Sequence, residues 1–171
     1  MKKTIPVWFM LLFLGLMAAA QGSGKRGPST PAERERFITI VHKLEQAPLD
    51  KNLKKDREWA LLWLTDVPDV NVNVCLAPLG LRDGEKYKYE PEIFGQYTFS
   101  MGAFLIEHPE KASDPTAQYL AGVQGALNAY NSILKSEPKA KSRSLDDLLQ
   151  KQKQGQLADF VRDASKTGCT K

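Results

Sequence analysis

Histidine is scarce in this chain, with two in 171 residues, His42 and His108. Cysteine is equally scarce, at Cys75 and Cys169. These shortages exclude several chemistries. A zinc site needs Cys or His pairs at short spacing, and none exists. There is no Cys-x-x-Cys pair for thiol exchange. No serine sits in a glycine-flanked elbow, so the usual hydrolase nucleophile is missing. No glycine-rich loop opens a helix to cradle phosphate, because Gly122 and Gly125 fall inside a helical pattern. A large charge surplus is missing too. The net +4 is too small to imply a nucleic-acid partner. The one basic cluster, Lys135, Lys139, Lys141 and Arg143 around Pro138, reads as a solvated loop.

Long apolar runs are absent except at the start. Met1, Lys2 and Lys3 form a positive beginning, residues 5–17 are almost unbroken apolar, and Ala18, Ala19 and Ala20 supply small side chains. That is the pattern of a cleavable secretory signal, with cut after Ala20. The run is short of the roughly 20 apolar residues of a membrane helix. The expected organisation is therefore a signal over 1–20, a flexible linker over 21–29 rich in Gly, Ser, Lys and Arg, and a single helical domain over 30–171. Loss of Lys2 and Lys3 leaves a charge of about +2. No membrane span is expected after cleavage, and the location is expected to be periplasmic or secreted. In such an oxidising compartment an even cysteine pair reads as a disulfide, here Cys75 with Cys169. A loop that long stabilises by up to about 4 kcal/mol through the unfolded chain.

The pattern after residue 30 is mostly α. Thr30, Pro31 and Glu33 spell a capping box with proline at the first helical position. Phe37, Val41 and Leu44 then share a face, with Ile38 and Ile40 beside them, until Pro48. A second helix is expected from Asp50 to Pro68, and its second half, residues 59–64, is apolar all round. Such an end is normally buried on every side. Val70, Val72 and Val74 alternate with Asn71, Asn73 and Cys75. With the turn signal at Asp83 and Gly84 and with Tyr87 and Tyr89, this allows a short β-hairpin or extended segment around 70–90.

Pro91 and Glu92 open a third helix with Phe94, Tyr97, Met101 and Leu105 on one stripe, Ile93 and Phe104 alongside, and small residues at Gly95, Gly102 and Ala103. Asp114 and Pro115 cap a fourth, with Leu120, Val123, Leu127, Tyr130 and Leu134 in register and a second stripe of Gly122, Gly125 and Ala129. The two small-residue stripes are expected to meet. Ser144, Leu145, Asp146 and Asp147 start a fifth helix that Gly155 ends. Leu157, Phe160, Val161 and Ala164 form a sixth, ending at Gly168. The fold class is thus a compact bundle of about six helices.

No catalytic residue, cofactor or metal ligand is expected. His42 lies beside an apolar stripe, and His108 sits at a helix C-terminus, which favours a cation for structural reasons. Asp69, Asn71 and Asn73 match the first ligands of a calcium loop. Val74 stands where its glycine belongs and Gly80 where its bidentate glutamate belongs. The remaining candidate is aromatic. Trp59, Trp63, Tyr87 and Tyr89 cluster mid-chain as a partner or ligand surface, against the reading that they are core.

The expected function is a non-enzymatic exported module whose partner is another envelope or secreted protein. The alternatives are a carrier of a small apolar ligand between helices and an enzyme built around His42 or His108. Residues 75–127, and above all Ile106, Glu107, His108, Pro109 and Glu110 with the helix that follows, resemble the small exported immunity proteins of the Tai type. The resemblance covers under half the chain. It implies a disulfide-bearing helical inhibitor of a peptidoglycan-cutting toxin, and it supplies no site residues.

Overall fold

The computed structural model describes residues 26–80 and 86–169. The expected signal segment and the expected turn at Asp83 and Gly84 lie outside the described residues. Six helices follow one another: α1 (Pro31–Gln46), α2 (Lys54–Asp66), α3 (Glu90–Glu107), α4 (Pro115–Ser136), α5 (Arg143–Lys153) and α6 (Leu157–Gly168). There is no strand among the described residues, so the optional hairpin is not formed. Val70 is buried and Val72 half-buried, while Asn71 and Asn73 face water. The alternation therefore marks an extended connection laid against the helices, unpaired with any strand.

Local chemistry sets the helix starts. At α1 the Thr30 side chain accepts from the Glu33 N–H, and Glu33 reaches back to the Thr30 N–H at 2.8 Å. Asp114 accepts from Ala117 N–H to begin α4. Two starts differ from expectation. Asp50 caps a single 3-10 turn, Lys51–Leu53, before α2 proper begins. The cap of α5 is Ser142, two residues earlier than Ser144, because its buried hydroxyl accepts from Leu145 N–H. Gly155, at φ +72°, supplies the left-handed turn between α5 and α6.

α3 is the axis of the architecture, because it serves two cores. Ile93, Tyr97 and Met101 pack with Tyr119, Val123, Leu127 and Tyr130 of α4 and with Leu145, Leu148, Leu157 and Val161 of α5 and α6. Phe99 and Ala103 pack on the other side with Phe37, Ile40, Val41 and Leu44 of α1 and Ala60 and Trp63 of α2. The single stripe expected on α3 is therefore wrong at one end, and Phe94 is exposed. The stripes of small residues do not meet each other either. Gly102 and Gly122 instead seat larger side chains, while Gly125 meets Ser100. A Cβ on Gly122 would stand 2.8 Å from Tyr97 and Met101, and one on Gly102 would stand 3.1 Å from Phe37. The close approach of α3 and α4 is real: Gly122 receives Tyr97 and Met101, and Gly125 lies directly against Ser100.

The ends of the described part of the chain are tied down. Residues 26–29, the last part of the expected flexible linker, are anchored. Ser29 donates to Asp69 through its N–H and its hydroxyl, each at 2.8 Å, and Arg34 donates to the same carboxylate at 2.6 Å. Partial desolvation works to raise the Asp69 pKa, but the Ser29 and Arg34 hydrogen bonds outweigh it and hold the group at about 2. Because the folded value lies below the unfolded one, this stabilisation is complete above about pH 4 and is lost as pH falls through 2. Asp69→Asn is expected to cost about 1 kcal/mol at pH 7, allowing for solvent screening, and close to nothing near pH 2. Urea melts at the two pH values check this. At the other end, Cys75 and Cys169 form a disulfide, with sulfurs 1.98 Å and Cα atoms 5.8 Å apart. Tyr97 donates its hydroxyl to the Cys75 carbonyl at 2.7 Å.

Candidate functional site

The four aromatic candidates fall in two places. Trp59 and Trp63 stack along α2, with centroids 5.8 Å apart and planes at 20°. Trp63 is buried against Phe37, centroid to centroid 4.6 Å, while Trp59 is half-buried with the Arg36 guanidinium 4.0 Å above its ring. Tyr87 and Tyr89 belong to the other core, where Tyr87 packs edge-on against both Tyr89 and Tyr130. The four therefore do not form one surface. Helical spacing puts Trp63 inward, and the Tyr87 ring fills the gap beside Tyr130. What is open to a partner is the edge of Trp59 and part of Tyr89.

Tyr87 carries a cost. Its hydroxyl is enclosed and has no hydrogen-bond partner among the described residues. Burial pushes its pKa well up, with Tyr130, Tyr89, Glu92 and Asp146 adding to the shift, so it stays protonated. A buried unpaired hydroxyl costs about 1–3 kcal/mol. Tyr87→Phe is therefore expected to raise stability by about 1 kcal/mol, read as a higher denaturant midpoint. A lower midpoint would mean the hydroxyl has a partner. Trp63 Nε1 is unpaired in the same way.

The histidines sit in exposed positions. His108 is the C-cap of α3, with its ring 4.8 Å from Phe104 and its Nδ1 3.4 Å from Glu110. His42 lines a shallow groove of about 210 Å³ between α1, α3 and α4 with Glu45, Ser100, Glu107, Gln124 and Asn128. Three residue types familiar from nucleophilic catalysis meet here, which sequence reasoning did not foresee. Their order is wrong for that chemistry. An activated serine needs the imidazole on its hydroxyl. Here Ser100 Oγ donates to Glu45 Oε1 at 3.3 Å and accepts from Gln96 Nε2 at 3.0 Å. His42 stands on the far carboxylate oxygen, at 3.8 Å. Ser100 is only 7% exposed, and Gln96 is anchored to the Val41 carbonyl. The set is a polar tie between α1 and α3, threaded past Gly125 of α4.

The calcium-like segment is also occupied by its own chain. Asp69 is engaged by Ser29 and Arg34, and Asn71 donates to the Pro68 carbonyl. No cluster of three or more His, Cys, Asp or Glu suited to a metal occurs among the described residues. No helix among them is long and apolar enough to cross a membrane. The basic residues Lys135, Lys139, Lys141 and Arg143 are all exposed, but only Lys139 and Lys141 lie in the connection at Pro138; Lys135 is in the last turn of α4 and Arg143 opens α5.

The feature that sequence reasoning missed is on α2. Residues 59–64 were expected to be enclosed on all sides. Leu61 and Leu62 are instead 55% and 64% exposed. α2 packs on α1 and α3 through Trp59, Ala60, Trp63 and Leu64, and its outer face, with Lys54, Lys55, Glu58 and Thr65, is open. Comparison of the chain with protein-family models, curated proteins and solved structures gives no match.

Proposed function

We propose that the chain is an exported, non-enzymatic module that binds another envelope or secreted protein through the outer face of α2. The observation that carries this reading is the adjacent pair Leu61 and Leu62, each more than half exposed on a helix whose other outward residues are charged or polar. Single exposed apolar residues are ordinary. Two adjacent leucines, next to the half-buried Trp59 held under Arg36, make an apolar centre with a polar rim, the usual anatomy of a protein interface. Burying a leucine side chain fully is worth about 1.5–3 kcal/mol, so the pair is enough to anchor a small interface. The Cys75–Cys169 disulfide fits an extracellular or periplasmic setting.

The test is affinity capture from the envelope fraction of the source cells, with the wild-type chain and a Leu61→Asp, Leu62→Asp double variant. The variant is expected to keep its melting temperature within a few degrees, because neither side chain is in the core, and to lose the captured protein. Equal recovery by both chains would remove α2 from the interface.

A further inference from the structure

A second cavity, of about 300 Å³, lies away from the outer face of α2. It is the space enclosed by the start of α1, the 69–71 connection, the end of α3 and the turn before α4. One wall is apolar, made by Val70, Leu105, Ile106 and Pro109. At its other end stand Arg34 and Asp69, already joined at 2.6 Å.

That ion pair presents partly exposed charge of both signs to the cavity. A guanidinium carries five N–H donors, and Arg34 uses Nε on Ser29 at 2.7 Å and Nη2 on Asp69. Both donors of Nη1 have no acceptor among the described residues. The Asp69 carboxylate is met by the Ser29 N–H on Oδ1, by the Ser29 hydroxyl and Arg34 on Oδ2, and by its own backbone N–H, yet its side chain is still about a quarter exposed beside the cavity. The pair is held in place from both sides by Ser29 and by the capped first turn of α1, so it needs no reorganisation to receive a ligand.

We propose that this cavity binds a free α-amino acid with an aliphatic side chain, its carboxylate on Arg34, its ammonium on Asp69 and its side chain against Val70, Leu105 and Ile106. The match is one of charge and of size. A bare anion would be repelled by Asp69 and a bare cation by Arg34, whereas a zwitterion satisfies both. A volume of about 300 Å³ is at the lower end for ligand pockets, which run from about 300 to 1,000 Å³, and admits only a small molecule.

Isothermal titration of the oxidised protein with L-leucine tests the proposal. Saturable heat is expected, with Kd on the order of 1 mM or tighter. N-acetyl-L-leucine lacks the ammonium and L-leucinamide lacks the carboxylate, and each is expected to bind about tenfold more weakly or worse. A peptide terminus, which offers only one of the two charges, would behave like these analogues. Ala112→Trp places a large side chain in the cavity mouth from an exposed position and is expected to abolish binding without changing the melting temperature. Arg34→Lys keeps a cation beside Asp69 but removes the fork, and is expected to weaken binding about tenfold. The proposal is overturned by no saturable heat from L-leucine, L-isoleucine or L-valine up to about 10 mM. It is equally overturned by analogues that bind as well as leucine, or by binding that survives Ala112→Trp. None of these results bears on the α2 face.

Discussion

Gly125→Ala is expected to destabilise the protein by about 2 kcal/mol, and Gly125→Leu to prevent folding. The sign is the informative part. In an ordinary helix interior, alanine is better than glycine by about 1 kcal/mol. At Gly125 the added Cβ would stand 1.9 Å from Ser100 Oγ, 2.5 Å from Ser100 Cβ and 2.9 Å from Glu45 Oε1. The serine Cβ is fixed to the α3 backbone, so α4 itself must move away. That separation would also pull at the Ser100–Glu45 hydrogen bond and the Gln96 amide behind it. Gly95 provides the control. Its Cβ would meet only Phe99, at an ordinary 3.6 Å, so Gly95→Ala is expected to stabilise by up to about 1 kcal/mol. Denaturant melts of the two alanine variants should therefore shift in opposite directions.

The Cys75→Ser, Cys169→Ser double variant is expected to lose about 3 kcal/mol, with a fall in melting temperature on the order of 10 °C. The bridge spans 94 residues, and a cross-link over a loop that long removes much freedom from the unfolded chain. Several contacts around it survive its loss. Gly168 lies so close to Ala77 that a Cβ there would stand 2.4 Å away, and Phe160 sits over Gly80, which takes φ +58°. Tyr97 still holds the Cys75 carbonyl. The variant should therefore fold, with native helix content by circular dichroism and a lower midpoint. Unfolding at room temperature would mean that the bridge, more than the two cores, maintains the structure.

Much of this fold was legible in the sequence. The Thr30–Glu33 capping box and the Asp114–Pro115 start appear where local chemistry placed them, because a cap depends on neighbours within four residues. The faces of α1 and α6 were legible for the same reason, since each packs on one side only and its period is clean. α3 was not. A helix buried on two sides carries two overlapping stripes, and Phe94, Tyr97, Met101 and Leu105 looked like one. The outer face of α2 misled in the opposite direction. An all-apolar run implies enclosure, and no short-range rule distinguishes a buried Leu62 from one left for a partner. The cavity at Arg34 and Asp69 joins residues 35 positions apart in sequence with the end of α3, and only the tertiary arrangement brings them together. The valine alternation after Asp69 described the inward and outward sides only as far as Asn73, since Val74 is exposed and Cys75 half-buried, and no strand pairs with the segment among the described residues.

Intact-mass analysis with alkylation, on protein taken from its own cells without reductant, bears most directly on where this chain works. A polypeptide starting at Gln21 and taking up no alkylating agent is the expected species. One that retains Met1 and carries two alkyl groups would contradict export, the oxidised bridge and the kind of partner proposed for α2.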